Sequence, residues 1–258
     1  MGKTTARGLV QGEEGIRIET GVKVESITND NGRVAVHAEV ADEGGRIFTA
    51  ERILCATGRR QNTEGLGLEE IGVQLGKDGR VVVDEFLQTA VSGIFAAGDV
   101  IGEPAFVYTA AYEGNLAAMN ALGSKMAARD YRALPWVIFT DPQVAGVGLN
   151  EKDAEQTGIE VDVSRLDLEH VPRALAARDT RGFIKMFKQR GSDQLVGARI
   201  LAPEGGEQIM EAAMALRYGI GVSDIASMFH PYLTQAEGLK LCAQAFSRDV
   251  SKLSCCSA

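Results

Sequence analysis

The sequence predicts a mixed protein, α/β and α+β in class, and three features carry that prediction. Apolar and polar residues alternate in residues 22–27 and 33–40, the pattern of half-buried strands. Strand-like runs recur at 136–140, 161–168, 182–188 and 194–201. Ala, Leu and Met recur at helical spacing over 109–128, 206–218 and 234–246. Helices beside antiparallel strands make an α+β module of the second half.

In chain order, residues 15–18 and 22–27 read as strand. Asn29-Asp30-Asn31-Gly32 is a turn, and 33–40 alternates again. A Gly-rich turn over 41–46 precedes 47–55, completing a three-stranded antiparallel meander. Its apolar end, Ile53-Leu54-Cys55-Ala56, runs into Thr57-Gly58-Arg59. Residues 81–83 and 94–97 read as short buried strands. Asn150 caps a short helix ending at Gly158, and Gly219 stops the helix over 206–218.

Composition narrows the function. The chain has 258 residues and a formal net charge of −8, which argues against a nucleic-acid or polybasic membrane-binding role. No apolar run is long enough to span a bilayer, and residues 1–7 lack the apolar core of a secretory signal. Four cysteines in a chain this size are not a disulfide framework, so a reducing cytoplasm is the expected compartment.

Two segments carry chemistry on their own terms. Ile94-Phe95-Ala96-Ala97-Gly98-Asp99 is an apolar run ending in Gly-Asp. Such a run can set one carboxylate at the edge of a sheet, where Gly98 admits a ligand and Asp99 accepts hydrogen bonds from a sugar-like hydroxyl chain. A plain Gly-Asp turn is the alternative. At the other end, Cys255-Cys256 joins poorly into a disulfide but offers a two-sulfur grip on a soft metal ion; a frayed terminus whose cysteines carry no role is the alternative.

Ala56-Thr57-Gly58-Arg59-Arg60-Gln61-Asn62, followed by the segment from Thr89 to Asp99, resembles the two-dinucleotide-binding flavoprotein disulfide reductases. The resemblance implies a partial flavoprotein fold followed by an α+β dimerisation domain with an antiparallel sheet. It implies that Gly58, Gly98 and Asp99 bind cofactor, Asp99 holding the ribityl chain of FAD. Gln61 stands where the family usually has Pro.

Phe229-His230-Pro231-Tyr232-Leu233-Thr234-Gln235-Ala236-Glu237 is the third motif. Dihydrolipoamide dehydrogenases and glutathione reductases carry a Glu five residues after this His, as an acid–base dyad; here that residue is Gln235. Thr234 and Glu237 fit a capping box instead. Tyr232, the segment Glu237-Gly238-Leu239-Lys240-Leu241 and the terminal cysteines resemble the mercuric reductase branch. That resemblance implies Tyr232 at the metal site, and Cys255 and Cys256 receiving Hg(II) for the partner subunit's redox pair. It also implies NADPH as reductant and a homodimer through the second half.

The resemblance divides the chain into the end of a nicotinamide-nucleotide domain (1–58), the end of an FAD domain (59–133), a dimerisation domain (134–247) and a tail (248–258). No Gly-x-Gly-x-x-Gly and no Cys-x4-Cys occurs in the chain. It is therefore expected to be the C-terminal portion of a longer reductase and inactive alone, with an exposed apolar face on the meander. A dihydrolipoamide dehydrogenase-like reductase and a non-catalytic metal-binding or dimerisation module are the alternatives. Cys55, Cys242 and Trp136 are expected to be packing residues, and His37 and His170 to lack partners.

Overall fold

A computed structural model describes residues 16–30, 32–123 and 125–249. The chain divides into two units, residues 1–66 with 76–80, and residues 67–75 with 81–258.

In the first unit the alternating segments become β1 (Val22–Asp30), β2 (Arg33–Val40) and β3 (Gly44–Ala50), an antiparallel meander in chain order. Gly32 and Gly44 turn the chain with left-handed φ values of 82° each, which side chains resist. Ala38 and Val40 are buried, whereas Val24, Ile27 and Ile47 are exposed. His37 is not without a partner, since its Nε2 lies 3.2 Å from Thr28 Oγ1. The expected strand over 53–56 does not form. A strand needs a neighbour to complete its ladder, and here Leu54 is 90% exposed. Cys55, expected in the core, is exposed for the same reason.

The second unit opens with tight turns where two strands were expected. Residues 81–83 and 94–97 make only the isolated bridges Leu75↔Val81 and Gln88↔Phe95. Asp84 explains the shortness: its Oδ1 accepts from the amides of Phe86 and Gln88, both at 2.9 Å, and bends the chain at once. Against these turns packs α1 (Val107–Leu122), through Leu116 and Ala117. The helix stops short of residue 128. Asn120 holds the returning chain through Ala127, accepting from its amide at 2.8 Å and donating to its carbonyl at 3.0 Å.

The larger sheet has the order β4-β5-β8-β7-β6 and is antiparallel throughout. Its strands are β4 (Trp136–Ile138), β5 (Gln143–Gly148), β6 (Val161–Asp167), β7 (Phe183–Gln189) and β8 (Leu195–Ala202). Trp136 pairs with Gly146, where an added Cβ would lie 2.5 Å from the indole; the tryptophan is packing, as expected. Short helices α2 (Glu151–Thr157) and α3 (Pro172–Ala177) follow β5 and β6. Asn150 caps α2 by accepting from the Asp153 amide at 2.9 Å.

Three helices finish the fold: α4 (Gly205–Tyr218), α5 (Val222–Ser227) and α6 (Glu237–Gln244). The buried side of α4, Ile209, Ala212 and Ala213, lies against β5 and β8. α6 packs on β6 and β7, burying Leu239, Leu241 and Cys242. It begins later than expected, at Glu237. Thr234 Oγ1 accepts from the Glu237 amide at 3.3 Å, but Ala236 is the N-cap and Oε2 of Glu237 is buried without a partner among the described residues. The expected capping box is therefore only half made.

Candidate functional site

The Gly-Asp segment closes into a single 3-10 turn, Gly98–Ile101, at the end of the apolar run. Gly98 has φ +77°, and a Cβ there would sit 3.1 Å from Ala110 Cβ on α1. Glycine is required on both counts. Asp99 follows on the turn, half-buried. A carboxylate next in sequence to a side-chain-free backbone is an acceptor type that suits a polyhydroxyl chain, so the residue types here fit the ribityl part of a flavin.

The turn is held from α1. The Gly98 amide donates to Oε2 of Glu113 at 2.6 Å, and the Tyr131 hydroxyl donates to Oε1 at 2.5 Å. Glu113 is only 1% exposed. Burial, with the carboxylate of Glu113 alongside, pushes the Tyr131 phenol up to about 12, so it remains a donor at neutral pH. Arg129 lies over the tyrosine ring at 5.8 Å. Three of the five residues buried by α1 are polar, and each pins a loop: Thr109 the carbonyl of Pro104, Glu113 the amide of Gly98, Asn120 the chain at Ala127.

Tyr232 lies between α5 and α6 and is 62% exposed. Leu233, beside it, has φ +61°, an uncommon conformation for a branched side chain. Thr234 stabilises this turn by donating to the Pro231 carbonyl at 2.8 Å. One residue before the proline, the His230 imidazole bonds to Oε1 of Glu211 on α4 at 2.8 Å, with Nδ1 3.2 Å from the Met228 carbonyl oxygen. The segment thus rests on α4 through His230 and leaves Phe229, Tyr232 and Leu233 exposed. On α4 itself Met210, Met214 and Tyr218, spaced by one helical turn, are exposed as well.

Gly58 belongs to the first unit and has φ +97°. Cys255 and Cys256 lie outside the described residues. Among the described residues no group of three or more His, Cys, Asp or Glu is placed to hold a metal ion. The two described cysteines differ. The thiol of Cys55 is exposed, and hydrogen bonding with Thr57 draws its pKa down; burial pushes the Cys242 thiol up to about 12.

Residues 8–114 match the family model of the pyridine nucleotide-disulphide oxidoreductases, and residues 134–243 match that of their dimerisation domain. The chain belongs to the pyridine nucleotide-disulphide oxidoreductase family. Membership implies a flavin and a nicotinamide nucleotide as cofactors. Among its relatives in the family, a mercuric reductase of Streptomyces lividans is 46% identical over 95% of the chain and 52% of its own length. One of Staphylococcus aureus is 43% identical over 95% of the chain and 45% of its own length. The chain thus spans about half the length of the curated relatives it matches. Among solved structures, LpdA of Mycobacterium tuberculosis superposes with a TM-score of 0.85 at 27% identity, covering 95% of this chain and 52% of that one. The flavoprotein disulfide reductase RclA of Escherichia coli gives 0.74 at 26% identity, covering 86% and 50%.

Glu113, Tyr131 and Glu211 were not legible as site residues. Each meets its partner at 15 to 19 residues' separation, 15 for Gly98, 18 for Tyr131 and 19 for His230. A carboxylate on an otherwise small-residue helix face was the one available signal for Glu113.

Proposed function

We propose that this chain is a portion of a mercury(II) reductase that uses NADPH and FAD to reduce Hg(II) to Hg(0). The likeness to mercuric reductases over 95% of the chain carries the reading. A bound flavin supplies the two-electron chemistry. Asp99 accepts from the ribityl hydroxyls, with Gly98 giving backbone room, and Gly58 of the first unit is read as a cofactor-binding residue in its own right. Cys255 and Cys256 hold the substrate ion as a pair of thiolates and pass it on by thiolate exchange, so the free ion is never released. Tyr232, exposed on a locked turn, stands at the metal site.

The division at residues 58, 133 and 247 into nucleotide, flavin, dimerisation and tail portions belongs to the same reading, as does a cytoplasmic location. No helix among the described residues is long and apolar enough to cross a membrane. The exposed row Met210, Met214 and Tyr218 supports a homodimer through the second half.

One observation favours a second reading. The His230–Glu211 pair is an imidazole–carboxylate couple of the kind that serves thiol protonation, as in a dihydrolipoamide dehydrogenase-like reductase.

The test supplies the flavin-loaded full-length reductase, of which this chain is read as a portion, with NADPH and Hg(II) in excess monothiol. Release of Hg(0), slowed in a Cys255→Ala/Cys256→Ala variant, is expected. NADPH oxidation with a small disulfide but none with Hg(II) would favour the second reading and sink the first.

A further inference from the structure

We propose that Glu113, tethered by Tyr131, is the positioning residue for the flavin-binding turn, fixing the Gly98 amide so that Asp99 faces the ribityl hydroxyls. The proposal rests on the reading of Asp99 as a flavin contact and assigns a role to a carboxylate whose two oxygens are both taken by protein donors.

Burying a carboxylate is costly unless it is hydrogen-bonded. α1 could have filled this position with a leucine, as it does at Leu116, and packed just as well. Instead Glu113, at 1% exposure, spends both oxygens on a backbone amide and a phenol. The amide belongs to the residue immediately before Asp99. Charge-assisted bonds of this length are stronger and more directional than neutral ones. Gly98 itself cannot hold the turn, because its left-handed φ and missing side chain leave the backbone free to swing. The Glu113 carboxylate removes that freedom by fixing the amide.

Tyr131 completes the arrangement. It reaches Glu113 from 18 residues further along the chain, beyond the end of α1, and its ring meets Tyr112 edge-on at 6.3 Å between centroids. With one oxygen occupied by the phenol, the carboxylate has one rotamer that serves both donors. The chain Tyr131–Glu113–Gly98 therefore sets the direction of the next residue, and a hydroxyl-binding carboxylate tolerates little misdirection.

The experiment removes FAD from the full-length reductase that contains this chain and titrates it back by flavin fluorescence, for the parent, Glu113→Ala, Glu113→Gln and Asp99→Ala. Circular dichroism and Tm report folding. Glu113→Ala is expected to weaken FAD binding about tenfold or more and to shift the visible flavin bands. Glu113→Gln, which keeps an acceptor for the Gly98 amide, is expected to remain within about threefold of the parent. A folded Glu113→Ala with parental FAD affinity, while Asp99→Ala loses FAD, would overturn the proposal and leave the flavin reading intact. Parental affinity in Asp99→Ala would instead overturn the flavin reading itself. If Glu113→Ala fails to fold, Tyr131→Phe is read by the same criterion: weaker FAD binding supports the tether and unchanged binding removes it.

Discussion

His230 and Glu211, 2.8 Å apart, join the exposed Tyr232 segment to the helix that carries the row Met210, Met214 and Tyr218. The side chain of His230 is 5% exposed and that of Glu211 is 31% exposed, so the imidazole is the buried partner. Removing the carboxylate with Glu211→Ala leaves a buried ring nitrogen unsatisfied and should cost about 1–2 kcal/mol. Urea denaturation measures this, and Glu211→Gln should recover part of the loss. Equal midpoints for all three proteins would show that the pair contributes nothing to stability.

The two described cysteines should react in sequence. Cys55 is exposed with a lowered thiol pKa, and Cys242 is buried with a raised one. Only thiolate alkylates, so brief iodoacetamide treatment of the native chain should modify Cys55 and spare Cys242 until urea is added. Peptide mass mapping reads both sites, and early modification of Cys242 would contradict the packing of α6.

Acid should weaken one tie within the second unit. Hydrogen bonds from Arg132 hold the Asp130 carboxyl well below the usual carboxylate range, and Arg217 of α4 reaches it at 3.0 Å. A carboxyl with a depressed folded pKa contributes fully above its unfolded value of about 4. That contribution drains away as pH falls towards the folded value. Asp130→Asn should therefore be less stable than the parent near neutrality, with the gap narrowing below about pH 4. A gap of constant size across that range would assign the effect to something other than charge.

Gly182 precedes β7 at φ +124°, and a Cβ there would stand 1.9 Å from the Leu201 carbonyl oxygen. Backbone cannot yield as a side chain tip can. Gly182→Ala should lower stability by about 2 kcal/mol or more, and a variant with parental Tm would show that the end of the β7–β8 ladder has slack.

The exposed apolar row on α4 should be a contact between copies. A Tyr218→Asp variant should shift the dimer to monomer by at least about tenfold in dissociation constant, read by light scattering. A parental dimer in that variant, or a monomeric parent, would move the interface elsewhere.

Alternation in the residues was enough for β1 and β2, and apolar runs were enough for most of the larger sheet, where β8 is buried along nearly its whole length. Both signals failed at β5, whose Gln143-Val144-Ala145-Gly146-Val147-Gly148 is flanked by strands on both sides and reads as a loop. Its glycines answer to the tryptophan across the sheet and to the β8 backbone, which local pattern does not record. The opposite error came at residues 81–83 and 94–97, where apolar runs suggested strands and Asp84 turned the chain first. At the site, Gly98, Asp99 and Tyr232 stood out as motif letters. Their supports, Glu113 and Glu211, did not, since a buried carboxylate and a surface one look alike until the fold brings a donor to each.

The last helix is moored deep in the sheet: Ser164 on β6 donates to the Cys242 carbonyl at 2.7 Å. Asp249, seven residues on, is the last described residue of the chain. A helix tied in this way gives residues 245–249 a fixed point of departure from the sheet, not a free end.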